Sequence, residues 1–216
     1  MLHTQDKPDR IAPMPDTYRS LEELVRCEAA ADYRVMVMDR QSRVTIVAPH
    51  GGRIEPGTSQ LAESVAGESW NLFAFEGLKP RGNSVLHVTS TRFSHPELEL
   101  LLARSTVGVS VHGMAEPGLL IEVGGLNARL VRLVSRELSL ERFGVCDAPP
   151  SRSAQSPQNF INRVAGGGIQ LEVSQDLRKL FQEDRARLSR FGTAVRAAIS
   201  RHLDEGKPPS EKDDAD

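Results

Sequence analysis

VTIVAPHGGRIEPGTS, running from Val44 to Ser59, reads as a buried strand, a tight loop and the start of a helix. The β-branched run Val44–Ala48 has the short, continuous apolar character of a strand covered on both faces. The next residues are too rich in Gly and Pro for either regular structure. Thr58 or Ser59 is placed to cap a helix that reaches about Gly67. A buried strand feeding a helix through a short loop is the unit of an α/β fold with a largely parallel sheet.

The pattern continues on both sides. Ser20 and Glu23 fit a capping box that opens a helix to about residue 30, and Tyr33–Met38 alternates as a strand. Asn71–Phe75, Ser84–Thr89, Thr106–Val111, Gly118–Val123 and Gly168–Val173 read as further strands. Pro96 suits the first position of a helix over ELELLLAR. Leu126–Glu137 has helical spacing, residues 147–157 are a Pro/Ser-rich loop, and Gln158–Val164 reads as a short helix. Leu177–Leu203 reads as one or two helices with arginines on a wet face. The expected fold is a single α/β domain over residues 17–203, with a mixed, mostly parallel sheet flanked by helices. Residues 1–16 read as a flexible polar segment and 204–216 as a disordered acidic tail.

Bulk properties narrow the function classes. The 216 residues carry a net charge of −2, but the last thirteen hold six acids and two lysines, so the remainder is about +2. The body is near neutral and no basic run carries interleaved aromatics, so a nucleic-acid groove is not indicated. No apolar run reaches bilayer-spanning length, and the first residues lack the apolar stretch of a secretory signal; the expected location is cytoplasmic. The two cysteines, Cys27 and Cys146, form no CxxC pair and read as buried free thiols. Of the 27 basic residues 22 are arginine, which suits planar recognition of carboxylates, although codon usage in a GC-rich genome is the simpler account.

Three reactive side chains fall at predicted strand ends. His50 follows VTIVAP, His112 follows VGVSV, and Glu172 lies near the end of GIQLEV. In open α/β sheets the crevice beyond the strand carboxyl ends is where ligands bind, so three such ends converge on one edge. Glu55 follows His50 by five residues within the Gly-rich loop. Two imidazoles and a carboxylate form a zinc set used by hydrolases, with water in the fourth position. Glu172, flanked by Leu171 and Val173, is the candidate general base. Taken singly, each has an ordinary structural reading: a loop histidine bonded to backbone at His50, a strand-end cap at His112, a strand acid paired with an arginine at Glu172. His87, inside a predicted strand, reads as structural. GVSVHG is not a serine-hydrolase elbow, no HExxH helix is present, and Gly166-Gly167-Gly168 is not a P-loop.

The segment APHGGRIEPGTSQLA resembles the signature of the poly-γ-glutamate hydrolase family of phages and bacteria. FEGLKPRGNSVLHVTSTRF, VSVHGM, VGGLNARL and NRVAGGGIQLEVSQDLR match in the same order, so the resemblance spans roughly Tyr18 to Arg178. It implies a zinc-carboxypeptidase-like α/β fold and one zinc per chain. It implies His50, Glu55 and His112 as ligands and Glu172 as general base. It implies cleavage of γ-glutamyl amide bonds in an anionic polymer or a small amide, in a cytoplasmic protein or one released by lysis if phage-encoded. The pattern departs at Gln60, at Ser94 and over Ser174–Arg178, none of them a proposed ligand, which bears on substrate choice. A polymer with one free α-carboxylate per unit calls for arginines in the groove. Asn162-Arg163, by analogy with the Asn-Arg carboxylate clamp of carboxypeptidases, and Arg92 and Arg178 are the candidates. The only tyrosines are Tyr18 and Tyr33, so a late tyrosine beside the metal is missing. Two other readings stay open: the same site acting on an N-acyl amino acid, and a non-enzymatic protein that binds DNA or a partner.

Overall fold

A computed structural model describes residues 15–205. Of the segment expected to be flexible, 1–16, residues 1–14 lie outside the described residues, as do 206–216 of the tail expected to be disordered, 204–216. In chain order the elements are α1 (Leu21–Cys27), β1 (Tyr33–Met38), β2 (Val44–Gly52), α2 (Thr58–Ala66), β3 (Asn71–Gly77), α3 (Pro96–Ala103), β4 (Val107–Met114) and β5 (Leu120–Gly125). They continue with α4 (Ala128–Leu140), β6 (Gly144–Asp147), β7 (Ile169–Ser174), α5 (Gln175–Glu183) and α6 (Arg185–Asp204). Single 3₁₀ turns occupy Asn83–Leu86 and Phe160–Arg163.

The seven strands form one sheet in the order β1-β3-β2-β4-β7-β5-β6. Neighbours run parallel except β1 against β3 and β5 against β7. The β2–α2–β3 connection places β3 on one side of β2, and the next crossover, through α3, places β4 on the other. The strand order therefore reverses between β2 and β4, where a crevice opens at their carboxyl ends.

Side-chain alternation gives the sheet two unlike faces. Val44, Ile46 and Ala48 of β2, Val107, Val109 and Val111 of β4, and Ile169, Leu171 and Val173 of β7 pack under α2, α4 and α6. On the opposite face Val47, Phe73 and Phe75 pack with Leu24 of α1, Leu98 and Leu102 of α3, and Phe93 and Phe160. That second apolar cluster reaches only the amino end of β4, where Ile161 and Val164 lie on Gly108. Register continues the Val47 row through Ser110, and the polar rows beside it are Ser110–Gln170 and His112–Glu172–Glu122. Half of one face is thus polar and buried, an arrangement that costs stability unless each group finds a partner.

Several expectations are corrected. Ser84–Thr89 is not a strand: its first residues form the 3₁₀ turn Asn83–Leu86, and Leu86 and Val88 pack onto the sheet face in the second cluster without pairing with a strand. β6 escapes the sequence pattern because it is four residues long and largely exposed. Gly57, not Thr58 or Ser59, is the cap residue of α2. Both cysteines are free but exposed, one at the end of α1 and one on the edge strand β6. β4 and β7 each run two residues past His112 and Glu172. No helix of the described residues is long and apolar enough to cross a membrane.

Arg178 of α5 ties the carboxyl ends together. Its Nε donates to the Val173 carbonyl at 3.1 Å, Nη1 to Pro56 at 2.5 Å and Nη2 to Met114 at 3.2 Å. Gly113 makes room for it, since a Cβ there would lie 2.5 Å from Arg178 Cζ. Arg178→Met keeps the stem but leaves three carbonyls without their charged donor. The expected loss is about 3 kcal/mol, read from urea unfolding; a loss under about 0.5 kcal/mol would remove Arg178 from this bracing role.

Candidate metal centre

The His50–Glu55 loop closes on itself. The β2–β3 register shifts between Ala48 and Gly51, and Gly52 takes φ 61°, a left-handed value that glycine adopts without strain. Glu55 N donates to the His50 carbonyl at 2.9 Å, and Thr58 Oγ1 donates to the carbonyls of His50 (3.2 Å) and Glu55 (2.9 Å). Gly51 is held against α2 so closely that a Cβ would sit 2.3 Å from Ser59 Oγ. Spacing five apart becomes a single turn with both side chains on one side.

The Val88 carbonyl lies 3.0 Å from His50 Nε2. A carbonyl only accepts, so Nε2 carries the proton and Nδ1 presents its lone pair. That nitrogen faces Glu55 Oε1 at 3.1 Å, so something positive lies between the two acceptors: a proton, which Glu55 favours by raising the His50 pKa against the effect of burial, or a metal ion in its place. Glu55 Oε2 accepts the Gly113 amide at 2.7 Å. His112 Nε2 is buried without a hydrogen-bond partner among the described residues. One ligand atom each from His50, Glu55 and His112 falls within 4.8 Å of the other two. Ligands about 2.0–2.1 Å from a tetrahedral zinc stand about 3.3 Å apart, close to the His50–Glu55 separation. The orphaned nitrogen, the opposed lone pairs and the nitrogen/carboxylate donor set fit a divalent metal such as zinc.

Electrostatics agree with the geometry. Burial alone would raise the Glu55 pKa, but the charge and hydrogen bond of His50 outweigh it and bring it down to about 2. Burial, reinforced by His50, pushes His112 down to about 3, which keeps it a neutral donor. Glu172, beside His112 in register, moves the other way: burial first, then the negative charge of Glu55, raise it well above the usual carboxylate range. Its Oε1 accepts from Gln170 Nε2 at 2.8 Å, and Gln170 Oε1 accepts in turn from Asn159 at 3.3 Å.

The remaining candidates are scattered. Arg92 pairs with Asp16 at 2.7 Å and stays 46% exposed near the cradle, because Asp16 also holds His87. The Asn162 side chain donates to the Ala154 and Ser156 carbonyls and accepts from Gly168 N, and its neighbour Ile161 packs on Gly108 and Gly168. Asn162 and Arg163 therefore sit at the amino ends of β4 and β7, away from His112 and Glu172, and Arg163 pairs with Glu99 of α3. Arg178 spends its donors on three carbonyls. The placement of these three departs from a substrate-groove expectation, because their polar groups are engaged in holding loops and strand ends.

Two residues near the site carried no such role in the sequence reading. Arg152, in the Pro/Ser-rich loop, makes a two-pronged pair with Glu122 at 2.8 Å for both bonds and reaches Glu116 at 2.6 Å, and its charge acts on Glu172. That pairing depends on the loop lying over β5, where the Ser153 backbone sits against Gly124. His87, read as structural, lies with its ring centroid 4.0 Å from that of His50. Its Nδ1 is 2.7 Å from Asp16 Oδ1.

Fold and cradle together define a single-domain α/β protein with a two-imidazole, one-carboxylate metal cradle at the switch point of a mixed sheet. The chain belongs to the poly-γ-glutamate hydrolase family, whose profile matches residues 18–197. It is 37% identical over 169 residues to the UPF0714 protein YndL of Bacillus subtilis (strain 168), covering 76% of this chain and 66% of YndL, so it spans just under two thirds of that relative. A solved bacteriophage poly-γ-glutamate hydrolase superposes with TM-score 0.83 at 32% identity, covering 88% of this chain and 100% of that one. The zinc-free apo form of YndL superposes with TM-score 0.80 at 32% identity, covering 87% and 99%.

Glu172 gives the centre a pH signature. An unfolded Glu ionises near 4.5, and folded Glu172 ionises well above that, so between the two values unfolding releases a proton. Its contribution to stability is present below about pH 4.5 and is lost as pH rises through the folded value. In chelator-treated protein, Glu172→Gln is expected to raise stability by about 1–2 kcal/mol at pH 7, with the gain vanishing toward pH 4. Denaturant unfolding across that range checks it; a pH-independent difference would contradict the assignment.

Proposed function

We propose that this chain is a zinc-dependent hydrolase of γ-glutamyl amide bonds, acting on poly-γ-glutamate or a shorter γ-glutamyl compound. The observation that carries the proposal is the His50 lone pair turned on the Glu55 carboxylate beside the orphaned His112 nitrogen, with a proton-hungry carboxylate one strand away. His50, Glu55 and His112 would hold one zinc per chain. When bound, zinc acts as a Lewis acid that polarises the amide carbonyl and makes water acidic enough to react near neutral pH.

The protein supplies the proton transfers. Glu172 takes a proton from the attacking water and delivers it to the leaving amide nitrogen. Gln170 holds Oε1 of Glu172, which leaves Oε2 for the exchange. Arg152 balances the negative charge where Glu122 and Glu172 lie side by side, so Glu172 ionises when the reaction requires it. Arg92, exposed at the rim, offers a planar fork to an α-carboxylate of the substrate. Asn162, Arg163 and Arg178 are left out of the substrate contacts for the reasons of placement given above.

The test pairs metal content with turnover. Elemental analysis is expected to find about one zinc per chain, and a chelator to abolish release of glutamate units from poly-γ-glutamate. Glu172→Ala is expected to keep zinc and lose about a thousandfold in kcat. Undiminished activity after complete metal removal would overturn the proposal. Faster turnover of an N-acyl glutamate than of the γ-linked polymer would overturn the substrate assignment alone.

A further inference from the structure

Asp16 lies at the edge of the described residues, yet its side chain is only 2% exposed. It accepts three hydrogen bonds: from His87 Nδ1 at 2.7 Å, from Thr89 N at 2.8 Å and from Arg92 Nη2 at 2.7 Å. Burial would raise its pKa, but the hydrogen bonds from Thr89 and His87 hold it below the usual carboxylate range, so it is an anion. A carboxylate only accepts, so the His87 proton sits on Nδ1 and the lone pair on Nε2 of the neutral ring. Nε2 has no hydrogen-bond partner among the described residues, and the side chain keeps 38% of its surface exposed. This carboxylate–imidazole pair is therefore built with one nitrogen left for something else.

Position suggests what that is. The His87 ring packs on the His50 ring, on the β2 side of the cradle. Glu172 stands on the β7 side, beside His112. An amide lying across the cradle would have Glu172 to one side and His87 to the other. A bound secondary amide gives up water at its N–H, and a donor left unpaired there is costly. When that N–H points toward His87, the lone pair that develops on nitrogen as the carbonyl carbon is attacked points away from it, toward Glu172.

We propose that His87, oriented by Asp16, is a further catalytic residue, whose Nε2 accepts a hydrogen bond from the N–H of the scissile amide. The proposal rests on the reading of the site as an amide hydrolase. It also supplies a role for an Asp–His pair that metal binding alone does not need.

An ester has no N–H, and this separates the role from mere support of His50. The zinc-loaded protein would be assayed on a γ-glutamyl amide and on the γ-ester of matching leaving group, as wild type, His87→Ala and Asp16→Asn. Asp16→Asn is nearly isosteric and keeps the ring stack. Its amide donates to Nδ1 and so moves the imidazole proton to Nε2, turning the acceptor into a donor. Both variants are expected to hold zinc as wild type does and to lower the amide-to-ester ratio of kcat/KM by about tenfold or more. Should His87→Ala fold poorly, the ratio for Asp16→Asn decides. Equal losses on amide and ester would overturn the proposal while leaving the hydrolase reading intact. A wild-type protein that turns over neither substrate would overturn both.

Discussion

The hydrogen bond from His50 to the Val88 carbonyl governs the centre. It assigns the proton to one ring nitrogen and so aims the other at Glu55. In a closed loop of this kind the two acceptors cannot swing apart without breaking the bonds that Thr58 and the Glu55 amide make across the turn. The second cluster, through Val88 and Phe93, holds the carbonyl in place. Packing on one side of the sheet thereby sets the donor geometry on the other side of the ring. An outer contact that fixes the tautomer of a ligand is a general feature of histidine metal sites.

Around that bond the fold concentrates groups that a stable core would avoid. The face shared by β4, β7 and β5 buries Glu172 and Glu122, and Glu55 lies against it. Arg152 and Arg178 answer them in different ways. Arg152 pairs directly with Glu122, whereas Arg178 spends its donors on backbone carbonyls and contributes its charge at a distance. The result is a cleft in which one carboxylate is held ionised and its neighbour is reluctant to ionise. Environments that push two acids apart in this way assign them different work, one to bind and one to exchange protons.

Much of this was legible in the sequence, for physical reasons. The β2 strand, the Gly-rich turn and the following helix announce themselves through local pattern, and with them the His50–Glu55 pair. His112 and Glu172 stand on strands that alternate cleanly, so their nearness follows once the sheet is parallel. The groups around them were not legible. Arg152 meets Glu122 across 30 residues through a loop folded over β5, and Asp16 meets His87 across 71 residues. The Ser84–Thr89 stretch shows a true alternation with a false meaning, because packing onto a sheet face and pairing at its edge leave the same trace. Asn162-Arg163 shows the converse: a dipeptide that suits a carboxylate clamp is used to pin a loop at the other end of the strands.

The central claim concerns where an ion sits. Crystals grown with zinc and measured on both sides of the zinc absorption edge test it most directly. One strong anomalous peak per chain, in contact with His50 Nδ1, a Glu55 carboxylate oxygen and an imidazole nitrogen of His112, is the predicted result. A zinc peak elsewhere, with those three side chains still bonded to one another and to Val88 and Gly113, would contradict the account.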